Sequence, residues 1–288
     1  MNKKQRYQGF RKFSIKTRLV IALLLISIIP LAGISGYSFH IFSVALREKL
    51  SASISQTLSM INLNMVSEIE KYQYLCGSIC ISEEIKDGLL NKDMSDIEKN
   101  QAINEIQSMI RTKIIYPAQA KNITVYDTDG NIFYDLGYDG FYQDDVDMLL
   151  DRLRQENQDV WAYVHTYRDR DILVLGRRIY EQYSESRVIG YTLISIDEKI
   201  FSKTVLEPVG LADSSNIMYM NMDGSVLSSW DRNIALGKKV DSEFLKNIQQ
   251  KLPSRTDSFS IHKDGEEQLV TYIFNKNLNQ LFVYTMPY

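Results

Sequence analysis

The sequence predicts an α+β chain: an N-terminal transmembrane helix, a long stalk helix leaving it, and two tandem modules built on antiparallel sheets. Three observations carry that reading. Residues 19–46 hold no charged side chain and follow a purely basic tail. Apolar residues then recur at helical spacing from Leu46 to Ile79. Beyond residue 120, two strand–Asp-Gly–strand segments repeat at an offset of 94 residues.

The tail, 1–18, carries Lys3, Lys4, Arg6, Arg11, Lys12, Lys16 and Arg18 and no acid. Its apolar continuation is densest at Leu19–Leu31, LVIALLLISIIPL. About 20 apolar residues cross the hydrocarbon core of a bilayer, so 19–43 is expected to span it. Pro30 is compatible with a membrane helix. A cleaved signal peptide would have an apolar core of about 7–15 residues and a small-residue cleavage site. This run is longer and no A-x-A follows it; Ile34 stands where a lipoprotein site after Leu31-Ala32-Gly33 would need cysteine. Basic flanks stay in the cytoplasm, which puts the tail inside, the single span in the plasma membrane and the rest of the chain outside.

Charge narrows the partners. The 288 residues hold 33 bases and 36 acids. Setting aside the seven tail bases leaves 26 against 36 beyond residue 18. An acidic outer region is a poor partner for nucleic acid or an anionic lipid surface. Cys76 and Cys80 are the only cysteines, so no disulfide framework is expected. Four apart on a helix, they read as buried free thiols rather than a bridge or a metal site. The histidines are His40, His165 and His262.

The stripe Leu46, Leu50, Ile54, Leu58, Ile61, Met65, Ile69, Tyr72, Cys76, Ile79 steps by three or four, the mark of one apolar helical face. Part of it should pack on the outer region and part should pair with a second copy, giving a homodimer through the stalk. Ser95-Asp96-Ile97-Glu98 is a capping box that starts a second helix running to about Lys113, and Pro117 closes that region. The repeat then aligns Ile123 to Ile132 with Ile217 to Val226, each a strand, an Asp-Gly turn and a second strand. Polar helical stretches follow at 144–157 and 241–251, and each copy returns to strands that end near Ile196 and Thr285. The organisation expected is 1–18 tail, 19–43 span, 44–116 stalk and second helix, 117–210 first module and 211–288 second module.

Catalytic and metal motifs are missing. Asp127-Thr128-Asp129-Gly130-Asn131 has the start of a calcium loop, but the twelfth position, which needs Glu, is Tyr138. The same Asp-Gly recurs at 223–224 and 264–265, which favours a turn. Asp144, Asp145, Asp147 and Asp151 suit the first turns of a helix. No G-x-S-x-G, H-E-x-x-H or Gly-rich phosphate loop occurs. No catalytic residue, metal or cofactor is therefore expected, and Asn122-Ile123-Thr124 is a sequon by pattern only.

The tail, span, outgoing helix and two strand-Asp-Gly-strand modules together resemble a double Cache (dCache) sensor region. The segment Gly176-Arg177-Arg178-Ile179 through Val188 to Asp197 is similar to the stretch that closes the family's first module. Leu281 to Tyr288 resembles the point where such receptors turn back into the membrane. The whole most resembles the input half of YesM-type sensor histidine kinases. That resemblance implies PAS-like (Cache) modules, 117–210 membrane-distal and 211–288 membrane-proximal. It also implies that these residues carry the sensing half, since no second span, linker or kinase segment precedes Tyr288.

Strand faces locate a candidate ligand site. Alternation from Val160 to Tyr167 puts Trp161, Tyr163, His165 and Tyr167 on one face. With Arg168–Asp171 as a hairpin turn, Tyr167 opposes Ile172, Tyr163 opposes Gly176 and Trp161 opposes Arg178. Through the loop at 181–187, Arg178 then opposes Gly190 and Gly176 opposes Thr192. Ala162, Val164, Leu173, Leu175, Ile179, Ile189 and Leu193 form the core face toward the long helix, with Arg177 as its exception. The site face would hold Trp161, Tyr163, Arg178 and Tyr180, with His165 and Thr192 at the margin and two glycines leaving room. A solvated face with exposed aromatics describes the same pattern; the dCache resemblance, which implies a ligand in the distal module, decides for a pocket. The family's amino-acid-binding members carry an Arg and Trp-Tyr pattern without a match here, and aromatic platforms suit carbohydrate.

The resulting expectation is a membrane-anchored, extracytoplasmic small-molecule sensor of a two-component system. Two alternatives are the same sensor on a chemotaxis or cyclic-dinucleotide output, and a free-standing anchored binding protein. An anchored hydrolase would need a nucleophile–base or metal constellation that the sequence lacks.

Overall fold

The computed structural model describes residues 15–91, 94–113, 120–137, 140–156, 158–168, 171–181, 187–206, 215–231, 233–252, 256–263 and 265–287. Most of the basic tail, Pro117, Asp139, the turn centre 169–170, the loop 182–186 and the expected module boundary at 210 lie outside the described residues. The chain divides into two compact units between Ile54 and Ser55.

In the first unit, helix α1 (Ile15–Ile81) begins. Its segment Leu23–Leu46 is long and apolar enough to cross a membrane, and none of it is buried. Pro30 sits inside the helix. The Ser27 hydroxyl donates to the Leu23 carbonyl at 3.0 Å, so this polar side chain brings its own partner.

In the second unit, α1 continues to Ile81 with Leu58, Ile61, Met65, Ile69, Tyr72, Cys76 and Ile79 buried. The expected stripe is therefore real, but from Leu58 onward the chain itself covers it. Leu46 is exposed, and nothing of the Leu50 side chain falls among the described residues. Cys76 and Cys80 are buried free thiols, and burial pushes the Cys76 thiol well above its ordinary range. Ser82 caps α2 (Glu83–Leu90) by accepting from the Ile85 amide. The capping box forms as expected at α3 (Asp96–Lys113). The Ser95 amide donates to Glu98 Oε2 at 2.9 Å and the Glu98 amide returns to Ser95 Oγ at 3.4 Å.

Two five-stranded antiparallel sheets follow. Sheet 1 contains β1 (Ala120–Asp127), β2 (Ile132–Leu136), β3 (Val160–His165), β4 (Asp171–Tyr180) and β5 (Val188–Asp197), in the order β2-β1-β5-β4-β3. Sheet 2 contains β6 (Asn216–Asn221), β7 (Val226–Ser229), β8 (Thr256–Lys263), β9 (Glu266–Asn275) and β10 (Gln280–Pro287), in the order β7-β6-β10-β9-β8. The two orders are the same permutation, which is the sequence repeat expressed in space.

Both Asp-Gly turns are self-contained. Asp127 Oδ1 accepts from the amides of Asp129 at 2.9 Å and Asn131 at 2.8 Å, and Gly130 takes φ +90°. Gly224 takes φ +86° and its amide donates to the Asn221 carbonyl at 3.0 Å. These conformations favour glycine. The Asp127 carboxylate thus serves its own turn. Among the described residues, no His, Cys, Asp and Glu group could hold a metal.

Helix α4 (Gln143–Gln155) packs on one face of sheet 1 through Val146, Leu149, Leu150 and Leu153. Helix α6 (Ser242–Gln249) occupies the matching place beside sheet 2. Helix α5 (Glu198–Val205) joins the sheets. Its buried Glu198 accepts from Ser228 Oγ in β7 at 2.6 Å, and Phe201 lies 6.3 Å from the Tyr219 ring.

Candidate functional site

The candidate site lies on β3, β4 and β5, and the observed register rearranges it. The pairs are Trp161↔Leu175, Tyr163↔Leu173 and His165↔Asp171. Trp161 was expected opposite Arg178, so the slip is three residues. An odd slip inverts one strand against its neighbour. The cause is the end of β3: Thr166 leaves β4 to bridge Phe141, so the strand stops before Tyr167.

Between β4 and β5 the error is a single residue with a single cause. Tyr180 opposes Val188, the register the loop implied, but a bulge between Ile179 and Tyr180 shifts everything beyond it. Arg178 consequently opposes Tyr191, Arg177 opposes Thr192 and Gly176 opposes Leu193.

The six expected residues therefore divide between two faces. Trp161, Tyr163, His165 and Thr192 share a face with Leu173, Leu175, Arg177 and Ile179; on this side Arg177 reaches α1. Arg178 and Tyr180 lie on the α4 side. The expectation that Leu173, Leu175, Arg177 and Ile179 face the long helix stands, while Ala162, Val164 and Leu193 belong to the α4 core instead. Nor do the glycines leave room for a ligand. A Cβ at Gly176 would lie 2.9 Å from both Leu153 and Leu193, and one at Gly190 would lie 2.9 Å from Leu89 and 2.5 Å from the Tyr126 carbonyl oxygen. They admit neighbouring side chains and backbone.

Each site residue now has a describable environment. Trp161 is buried and its Nε1 has no hydrogen-bond partner. Its carbonyl accepts from Arg152 Nη1 at 3.3 Å and from Asn221 Nδ2 of β6 at 3.2 Å. The Tyr163 hydroxyl donates to Asp171 Oδ1 at 2.5 Å, and its ring packs on Gly237 of the second module. His165 is exposed and stands edge-on to Tyr163, ring centroids 5.1 Å apart. Lys199 Nζ lies 3.6 Å from Asp171 Oδ2. Tyr163, His165, Asp171 and Lys199 thus form a polar group at the β3 edge, beside the second module. Thr192 is buried with its hydroxyl unpartnered. Arg178 Nε donates to the Leu153 carbonyl at the end of α4, so its fork is engaged in holding that helix. Tyr180 is half-buried.

Arg177, the exception to the expected core face, makes the tightest polar construction on the sheet. Its Nε donates to Asp159 Oδ1 at 2.6 Å and its Nη2 to Asp159 Oδ2 at 2.5 Å, while Nη1 donates to the Gln73 carbonyl of α1 at 3.2 Å. Gln73 Nε2 closes the network on Asp159 Oδ2 at 3.1 Å. Burial would lower the pKa of this guanidinium, but the hydrogen bonds to Asp159 outweigh it and hold it raised. A bidentate pair fixes orientation as well as charge, so sheet 1 and the long helix are clamped at one point. The sequence signal for it was a charge inside an apolar strand; Asp159, just before β3, carried none.

No family model matches the chain, and no curated protein matches it. Among solved structures, the chain is similar to the extracellular domain of rpHK1S-Z16, a protein assigned as a histidine kinase, with TM-score 0.57, 14% identity, 83% of this chain and 96% of that one covered. It is also similar to the sensor domain of the V. cholerae histidine kinase DctB, with TM-score 0.54, 13% identity and coverage of 84% and 98%. The extracellular domain of mmHK1S-Z2, likewise assigned as a histidine kinase, gives TM-score 0.56, 11% identity and coverage of 82% and 96%. At these identities the likeness is one of fold: two antiparallel sheet modules with their helices, the α+β architecture expected from the Cache resemblance.

Proposed function

We propose that this chain is the membrane-anchored, ligand-sensing input region of a signal-transduction receptor of the histidine-kinase kind. Its two sheet modules stand outside the cell and its basic tail inside. The observation that carries the reading is the clamp of Arg177 and Asp159 on Gln73. It ties a sheet module to α1 at Gln73, and the same helix carries, toward its N-terminus, a segment apolar enough to span a membrane. A ligand that biases the module between two arrangements would move that helix with it.

The ligand is a small molecule, a carbohydrate in the finer reading. It meets the first module at the β3 edge, where Tyr163 and His165 offer a hydroxyl and an imidazole backed by Trp161. Arg178, Tyr180 and Thr192 serve this site by setting the strands rather than by touching the ligand. Full-length chain in lipid nanodiscs, screened by thermal shift against mono- and disaccharides, should respond to at least one, and Tyr163→Ala with His165→Ala should remove the response. A response untouched by that pair of changes overturns the site.

A second copy would pair along the outward face of α1, where Met60, Leu63 and Tyr74 are 62%, 68% and 65% exposed. A membrane-impermeant bifunctional thiol reagent applied to intact cells should trap dimers through Leu63→Cys and label Asp129→Cys. Protection of Asp129→Cys overturns the outside placement. Labelled but uncrosslinked Leu63→Cys overturns the pairing.

A further inference from the structure

On the α6 side, sheet 2 does not close as sheet 1 does: one end opens into a cleft of about 890 Å³. That volume lies in the range of small-molecule sites. Strand residues Asn216, Met218, Gln268 and Thr285 line it from below, and Asp231, Asp241, Glu243 and Phe244 line it from the α6 side.

Asn216 is the informative residue. It is 8% exposed. Its Oδ1 accepts from the Asp231 amide at 3.0 Å and from Ser229 Oγ at 3.2 Å. A backbone amide can only donate, so the side-chain oxygen must face it and Nδ2 must face away. That Nδ2 is buried and has no partner. A buried amide donor is normally satisfied, and this one belongs to a residue that lines the cleft.

The rest of the lining selects the chemistry. Asp231 Oδ1 accepts from the amide and Nδ2 of Asn233, and Asp241 Oδ1 accepts from the amides of Glu243 and Phe244. Each carboxylate keeps its second oxygen, and no salt bridge engages Asp231, Asp241 or Glu243 among the described residues. Three carboxylates repel an anion. An ammonium would suit them but cannot accept the Asn216 hydrogen bond. A hydroxyl does both, accepting from Nδ2 and donating to a carboxylate. Phe244, Met218 and Ile261 add apolar surface of the kind that covers the C–H face of a ring.

We propose that this cleft binds a polyhydroxylated ring, a sugar or cyclic polyol, with Asn216 as the fixed donor and Asp231 and Asp241 as acceptors. This adds a site in the second module and does not rest on the first-module reading. The test is ligand-observed saturation-transfer NMR on the full chain in lipid nanodiscs, with glucose, galactose, xylose and myo-inositol as probes. Transfer to at least one probe is expected. Asn216→Asp keeps the acceptor oxygen and removes the donor, and should weaken binding about tenfold, as losing one good hydrogen bond does. Phe244→Ala and Asp231→Asn, at half-buried positions, keep the test open if Asn216→Asp does not fold, and each should weaken the same signal. Ile97→Ala, at an exposed position on α3 away from both modules' sites, should leave it unchanged. No transfer to any of the four probes overturns the proposal, as does transfer to putrescine in their place. A signal that survives both Asn216→Asp and Phe244→Ala, or that Tyr163→Ala with His165→Ala abolishes while the second-module variants do not, overturns it equally.

Discussion

In the first module α4 is 13 residues long and buries Val146, Leu149, Leu150 and Leu153 against its sheet. In the second, α6 is 8 residues long and buries only Ile248. The strand order beneath the two helices is the same. Strand order therefore does not decide whether such a module is filled or hollow; the reach of the covering helix does. Leu153 sits where Gly176 admits it, and among the described residues the α4 face of sheet 1 is filled by buried side chains. Around α6, Phe244, Leu245, Ile234 and Val240 are only partly buried, and the cleft opens beside them.

The sharpest way to break this comparison is to truncate one leucine under each helix. Leu153 is fully buried, so Leu153→Ala should cost about 2–5 kcal/mol, the transfer term plus a cavity that rigid neighbours cannot collapse. Leu245, half-buried beside the open cleft, should cost only about 1–2 kcal/mol on the same change. Denaturant unfolding of the two variants measures the difference, and equal losses would mean that the second module is packed as tightly as the first.

The clamp is the next difference, since only the first module shows one to α1 among the described residues. Arg177→Ala leaves Asp159 half-buried without its cation and should cost about 1–3 kcal/mol, discounted from a fully buried pair because both side chains keep some solvent contact. A double-mutant cycle with Asp159→Ala isolates the coupling. Hydrogen exchange should show the α1 amides around Gln73 opening more readily in the single variants. Unchanged protection there would break the link between sheet and helix that the proposed signalling needs.

How much of this was legible in the sequence depends on the range of the interaction concerned. The helical stripe, the capping box at Ser95 and Glu98, the Asp-Gly turns and the internal repeat are local patterns, and each appears where its residues place it. The faces of β3 and β5 were not legible because two local events moved the register. Thr166 took a bridge with Phe141, and a bulge formed at Ile179 and Tyr180. Neither leaves a mark that alternation can read. The same limit hid Asn216. Its importance comes from Ser229 and Asp231 occupying its oxygen, and nothing in Ser215-Asn216-Ile217 announces that. The aromatic residues expected to line a pocket are conspicuous by composition, but Trp161 is buried, with its main-chain carbonyl joined to Asn221 of the second module, and Arg178 holds α4.

The smallest expected effect separates the two Asp-Gly turns, which look alike in sequence. Burial raises the carboxyl pKa at both Asp127 and Asp223, and hydrogen bonds more than reverse it, so both are held below the usual range. A carboxylate with a depressed folded pKa contributes stability above its unfolded value of about 3.9, and that contribution is lost as pH falls through the folded pKa. Both turns should therefore loosen in acid. Their partners differ. Asp127 is held by Asn131 and backbone amides, all neutral, whereas Asp223 also meets the Lys239 ammonium at 3.1 Å. Salt screens the exposed ion pair, which is worth about 0–1 kcal/mol, and leaves the neutral hydrogen bonds nearly untouched. NMR titration of the Asn131 and Ser225 amides should give two midpoints below that of an ordinary aspartate. Added salt should raise the Ser225 midpoint while the Asn131 midpoint stays where it was. If both midpoints move together, Lys239 is not what distinguishes the turns, and the second turn is held by Ser225 alone.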